Sequence, residues 1–248
     1  MFPESRFLLG WPAMADRPLV LAHRGASDVA PENTIAAFSK ARELGADGVE
    51  LDVRRTADGV LMVHHDPEIN GLGPLVQLTF AEIRRARPPV PTFDEALEAL
   101  DSLIVNAEVK CLPWEIDADR DGTVMRAAID ALRAHRTSTI VSSFDLAAVD
   151  LARTYAPELT TGWLTHGQDV ANAARIAVDH GHQWLNPDSV CALANGVDGI
   201  SAAHATGVRV SVWTVDNPDD ARTLAAANVD MIISNVPDLV LAALRAPR

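Results

Sequence analysis

From Leu19 onward, short apolar runs alternate with longer stretches of helical periodicity, and this alternation constrains the fold more than any other feature of the chain. It is the pattern of a parallel sheet whose strands are joined by crossover helices. Eight units can be counted, with strands expected at Leu19–Ala22, Gly48–Val53, Leu103–Val109, Thr139–Ser143, Leu159–Leu164, Gln183–Asn186, Arg209–Val215 and Met231–Ser234. Helices are expected at Thr34–Leu44, Thr92–Leu100, Val124–Ala134, Leu146–Tyr155, Val170–Asp179, Asp198–Ala205, Asp219–Ala226 and Pro237–Leu244. Asn33, Asp145, Asp169 and Asn217 stand where helices open and read as N-caps, and Gly45, Gly181 and Gly207 stand where helices close. The count predicts one α/β domain over residues 1–248, a TIM-type (β/α)8 barrel. Such barrels run near ~250 residues as one unit, and this chain has 248. The second unit is irregular: Leu61–His65 reads as an extra short strand. Residues 66–91 form a Gly- and Pro-rich insertion with a helical patch near Phe80–Arg87. Residues 1–16 read as an N-terminal extension, with Met14 an alternative start.

Ionisable residues stand where these apolar strands end, and in a parallel barrel those ends share the face that carries the active site. His23 and Arg24 follow the first strand, Glu50 and Asp52 occupy the second, His65 and Asp66 follow the extra strand, and Glu108 and Lys110 close the third. Glu50 and Asp52 are two residues apart, so on a strand both point to one face, with Val49, Leu51 and Val53 on the other. Two close carboxylates repel unless a cation lies between them, and Glu108 can supply a third oxygen. An all-carboxylate set with open positions suits one hard divalent ion, Mg2+ or Ca2+, better than zinc. The competing interpretation is a cluster neutralised by Arg54, Arg55 or Lys110.

His23 and His65 come from neighbouring strand ends and could flank a scissile phosphoester, one accepting a proton and one donating it. His64 competes with His65, but alternation lets only one of the two look inward. The remaining histidines, including His135, His180, His182 and His204, are expected in solvated positions. Arg24 and Lys110 supply fixed positive charge for a phosphate. Lys40 and Lys110 are the only lysines in a chain otherwise served by arginine, which points to a specific need at Lys110. Trp213 offers an apolar wall for part of a substrate, or core packing.

These residues fall in motifs that resemble the glycerophosphodiester phosphodiesterases. The matching pieces are His23-Arg24-Gly25, Pro31-Glu32-Asn33-Thr34, Gly45-Ala46-Asp47 leading into Glu50-Leu51-Asp52-Val53, His65-Asp66, Glu108-Val109-Lys110, Ser142-Ser143-Phe144 and Val212-Trp213-Thr214-Val215. They run in family order along nearly the whole chain. The resemblance implies metal-dependent hydrolysis of glycerophosphodiesters to an alcohol and glycerol 3-phosphate. Glu50, Asp52 and Glu108 would bind the metal, His23 and His65 would act as acid and base in either order, and Arg24 and Lys110 would contact the phosphate. The alternatives are a lysophospholipase D-like phosphodiesterase and a non-catalytic phosphodiester-binding barrel. Residues Pro67-Glu68-Ile69-Asn70-Gly71 depart from the family's usual stretch after His65-Asp66. Asp216 stands where an asparagine is usual, and Ser234-Asn235 where Thr-Asp is frequent; neither change is expected to touch the metal or histidine positions.

The net charge of −13 opposes the basic surface on which nucleic-acid binders depend. No apolar run reaches the roughly 20 residues of a membrane span, so no stable membrane insertion is expected. Cys111 and Cys191 lack metal-finger or redox spacing and suit a reducing compartment, the cytoplasm. The partner expected is a small-molecule glycerophosphodiester; a homo-oligomer stays open.

Overall fold

The computed structural model describes residues 17–134 and 138–245. The expected extension at 1–16, Met14 within it, and His135 lie outside the described residues. The chain runs β1 (Leu19–His23), α1 (Ile35–Glu43), β2 (Gly48–Arg55), β3 (Leu61–Val63), β4 (Glu68–Ile69), β5 (Gly73–Pro74), a 3-10 turn (Leu75–Gln77), α2 (Phe80–Ala86) and α3 (Phe93–Ala99). It continues with β6 (Ile104–Val109), α4 (Thr123–Ala134), β7 (Thr139–Ser143), α5 (Leu146–Tyr155), β8 (Thr160–Thr165), α6 (Val170–Asp179), β9 (Trp184–Pro187), α7 (Ser189–Ala205), β10 (Arg209–Val212), α8 (Pro218–Ala226), β11 (Met231–Ser234) and α9 (Pro237–Arg245).

The sheet order is β1-β11-β10-β9-β8-β7-β6-β2-β3, and β1 also pairs with β2, so the parallel strands close into a barrel. β3 is antiparallel to β2 and stands outside the closed ring, where it begins the expected insertion. Each expected strand of the ring is present. Two helices differ from expectation. α7 begins at Ser189, capped by Asp188, rather than at Asp198; a kink at Gly196 separates its first part from the expected segment. The N-cap of α1 is Thr34, whose hydroxyl accepts from the Ala37 amide. Asn33, expected as the cap, instead holds a left-handed backbone (φ 56) and turns its side chain into the barrel. β10 ends at Val212, so Trp213 lies just past the strand rather than within it.

Along each strand the inward side chains change character. Leu21, Ile104, Ile140, Trp184, Met231 and Ile233 pack together as an apolar floor, each buried aliphatic adding roughly 1.5–3 kcal/mol. Two residues further along three of those strands stand His23, Asn106 and Ser142, so apolar packing gives way to polar groups toward the C-terminal mouth. The outward faces, such as Val49, Leu51 and Val53, pack against the helices.

Gly48 is required where β2 meets β6. It stands opposite Ile104, and a Cβ there would lie 2.6 Å from the Ile104 Cβ and against the Ile104 carbonyl. Gly48→Ala should therefore push β2 off β6 and destabilise the fold by about 1–3 kcal/mol, read as a fall in Tm of roughly 2–4 °C per kcal/mol for a chain of this size. An unchanged Tm would contradict the register described.

Candidate active site

The strand register assembles the polar mouth. β1 and β2 pair so that His23 stands beside Glu50, and β2 and β6 pair so that Asp52 stands beside Glu108. Glu50 and Asp52 share a face because side chains two apart on a strand do so. The three carboxylates are buried and offer oxygens within 4.8 Å of one another.

Positive charge is distributed unevenly over this triad. The Lys110 ammonium lies 2.6 Å from Glu108 Oε1 and 3.0 Å from Asp52 Oδ1, and Arg24 Nε lies 3.4 Å from Asp52 Oδ2. The Arg24 guanidinium also holds Glu32, at 3.0 Å. Asn33 Nδ2 donates to Asp52 Oδ2 at 2.7 Å. Burial works to raise the Asp52 carboxyl, but Lys110 and Arg24 together overcome it and hold the group down at about 2. Among the described residues no Lys or Arg side chain contacts Glu50; burial, then the charges of Asp52 and Glu108, push it well above the usual carboxylate range. Burial also raises Glu108, despite Lys110 beside it. Glu108 and Asp52 in turn hold the Lys110 ammonium above its ordinary value against the opposing effect of burial. A divalent cation among these oxygens would supply the charge that Glu50 lacks. Three buried carboxylates facing an open mouth are a donor set that fits a hard ion. Arg54, weighed as a neutralising partner for the triad, pairs elsewhere, with Asp117 at 2.6 Å and Glu115 at 3.2 Å. Its Nε donates to the His65 carbonyl at 2.7 Å and so braces that histidine.

The two histidines meet different partners. His23 Nε2 lies 3.8 Å from Glu50 Oε2, while its Nδ1 lies 2.7 Å from Asn235 Oδ1. Asn235 is itself fixed: its Nδ2 donates to Asp216 Oδ2 at 2.7 Å, and its backbone N–H to Asp216 Oδ1 at 2.8 Å. A carboxylate only accepts, so the amide nitrogen must face Asp216 and the amide oxygen must face His23. That oxygen also accepts from the Ser27 hydroxyl at 2.9 Å. His23 therefore carries its proton on Nδ1 and presents a bare Nε2 to the triad. Burial, then Arg24, lower its affinity for a second proton. The expectation that the Asn235 position avoids the histidines is wrong, because distance in sequence hid a strand-end contact between β11 and β1; Asp216 touches Asn235 and no histidine.

His65 Nδ1 meets a carboxylate, Asp66 Oδ1, at 2.7 Å. That hydrogen bond holds Asp66 below the usual range, and the charge of the His65 ring acts on Asp52 and Glu108. His64 bonds the Asp66 carbonyl instead, at 2.8 Å. Trp213 is anchored by its indole N–H on the Asn186 carbonyl at 2.8 Å and packs edge-on against Phe144, ring centres 5.3 Å apart. Phe144 lies 6.0 Å from the Lys110 ammonium, so the two aromatics wall the side of the mouth beyond Lys110. Cys111 is buried beneath it, its thiol pushed up to about 12 by burial and inert.

The sequence model of the Glycerophosphoryl diester phosphodiesterase family matches residues 23–239. A glycerophosphodiester phosphodiesterase of Caldanaerobacter subterraneus subsp. tengcongensis is 32% identical, over 91% of this chain and 97% of that protein. The crystal structure of a glycerophosphodiester phosphodiesterase from Agrobacterium tumefaciens superposes with a TM-score of 0.76 at 28% identity, covering 91% of this chain and 99% of the other. A counterpart from Thermotoga maritima superposes at 0.74, also at 28% identity, covering 91% and 97%.

The Asp216–Asn235–His23 chain is checked by 15N NMR of the histidine rings. The His23 ring should be protonated on Nδ1 and bare on Nε2 near neutral pH, and Asn235→Ala should abolish that preference. Protonation on Nε2 in the unaltered protein would contradict the arrangement.

Proposed function

The chain belongs to the glycerophosphoryl diester phosphodiesterase family, enzymes that cleave glycerophosphodiesters, and we propose that it does so with one divalent metal ion and a His23–His65 proton relay. Glu50, Asp52 and Glu108 would hold the ion, Mg2+ or Ca2+, whose chemistry is to offset negative charge on the phosphoryl oxygens. Arg24 and Lys110 bind the phosphate, the guanidinium through its fork and the ammonium as a point charge. Trp213 with Phe144 packs against the leaving alcohol or the glycerol.

The observation that carries the proton assignment is the difference in partners behind the two rings. Asn235 is uncharged and leaves His23 Nε2 bare, the form a base needs. His23 accordingly takes the proton of the glycerol hydroxyl next to the phosphate as that oxygen attacks phosphorus. A carboxylate behind an imidazole stabilises the imidazolium, so His65, backed by Asp66, gives its Nε2 proton to the departing alcohol oxygen. The resulting cyclic phosphate is opened by water with the two roles exchanged, and both rings regain their starting states.

One observation favours the lysophospholipase D-like reading as second choice. Trp114, 78% exposed, and Ile116, 54% exposed, follow Lys110 on the same loop and offer apolar surface beside the mouth. The net charge of −13 argues against nucleic acid as substrate. Among the described residues no helix is long and apolar enough to cross a membrane. Cys111 and Cys191 are both free, in keeping with a reducing, cytoplasmic setting.

Choline release from glycerophosphocholine, with lysophosphatidylcholine in parallel, is the test. Glycerophosphocholine should be the better substrate, and His23→Ala and His65→Ala should each slow it by at least about 100-fold. Near-normal rates in both variants would sink the relay. Preference for lysophosphatidylcholine, lost in Trp114→Ala, would favour the second choice.

A further inference from the structure

At the opposite end of the barrel, below the apolar floor, a second constellation of ionisable groups takes no part in the phosphodiesterase site. His180 closes α6, His182 lies two residues before β9, and Asp150 belongs to α5. His180 Nδ1 lies 2.9 Å from Asp150 Oδ2 and His182 Nε2 lies 3.1 Å from Asp150 Oδ1. One ligand atom from each residue falls within 4.8 Å of the other two. Among the described residues no Lys or Arg pairs with Asp150; its carboxylate is met by the two imidazoles. The expectation that these histidines are solvated fails for His182, whose side chain is 0% exposed, because the chain turns inward between Gly181 and β9.

The hydrogen bonding behind His182 poses a specific problem. The Thr161 backbone N–H donates to Gln183 Oε1 at 2.9 Å, which fixes that atom as an acceptor. The Thr161 hydroxyl lies 3.1 Å from the same oxygen and donates to it. Its oxygen is then left to accept from His182 Nδ1–H, at 3.0 Å. In that arrangement the bare Nε2 of His182 faces a carboxylate oxygen, acceptor against acceptor, unless a cation lies between them.

We propose that Asp150, His180 and His182 form a second metal site, for a first-row transition ion such as Zn2+, that ties α5 to the α6–β9 junction. Two imidazoles and a carboxylate suit Zn2+ and its neighbours, in contrast to the all-oxygen set at the mouth. Metal–ligand bonds of about 2.0–2.2 Å put tetrahedral ligands roughly 3.3 Å apart, and the two His–Asp separations, 2.9 and 3.1 Å, already lie near that spacing. Asp150 and His180 are each 40% exposed, which gives the ion an entry path and leaves water to complete its coordination. The Thr161 hydroxyl behind His182 is the outer partner that orients a metal-bound imidazole.

The experiment uses the whole chain, saturated with Mg2+ and titrated with Zn2+ by calorimetry and with Co2+ by visible absorption. One Zn2+ should bind and raise Tm, and Co2+ should give the intense d–d bands of a low-coordinate nitrogen-containing site. His180→Ala should weaken Zn2+ by more than about 10-fold, the lower bound even for losing a partner outside the coordination sphere. It should also abolish the Tm rise and leave phosphodiester turnover with Mg2+ unchanged. Glu108→Gln should leave this Zn2+ uptake intact. Equal uptake by the unaltered protein and His180→Ala, or uptake that disappears in Glu108→Gln, would overturn the proposal. So would no uptake at all, the result if Thr161 donates to Nδ1 and the His182 Nε2 proton goes to Asp150.

Discussion

Three carboxylates held out of water within a few ångströms of one another repel, and much of the mouth of this barrel is arranged around that repulsion. Lys110 answers it for Glu108 and Asp52, Arg24 and Asn33 answer it for Asp52, and among the described residues no Lys or Arg side chain contacts Glu50. The asymmetry is chemically useful. A buried site that is short of positive charge binds a divalent ion and a phosphate together more readily than one already neutralised, because each brings what the other lacks. The barrel makes this tolerable: the apolar floor beneath is closed by Trp184, Met231 and their neighbours, so the cost of burying charge is confined to one open end.

The two histidines at the mouth are held by different partners. Both rings are fixed through Nδ1, one by an amide and the other by a carboxylate. With an amide behind it, His23 keeps a bare Nε2; behind His65 stands the Asp66 carboxylate, at 2.7 Å. The amide orientation depends on Asp216, so a residue at the end of one strand decides the protonation of a ring at the end of another. Arg54 does comparable work for His65 by holding its carbonyl and anchoring itself on Asp117.

Much of this was legible in the sequence, for identifiable reasons. Strand and helix periods differ, so the eight units could be counted, and the i, i+2 spacing of Glu50 and Asp52 put both on one face. Grouping His23, Glu108 and Lys110 needed only the rule that parallel strand ends share a face, whereas His65 follows β3, which runs antiparallel to β2. What escaped was whatever depends on contacts between distant segments. Asn33 looked like a helix cap because its chemistry suits one, yet Thr34 takes that role and frees Asn33 for Asp52. Asn235 and Asp216 carry no motif signal that links them to His23. His182 looked solvated because the turn that buries it is visible only once β8 and β9 are paired.

The proposed chemistry depends most heavily on positive charge being supplied to Glu50, Asp52 and Glu108 by a metal ion. Glycerophosphocholine cleavage, measured after exhaustive chelation and again on re-addition of Mg2+ or Ca2+, addresses this most directly. Activity should vanish with the metal and return with it, and Glu50→Gln should need far more metal for half-maximal rate. Full activity in the chelated protein would contradict the account.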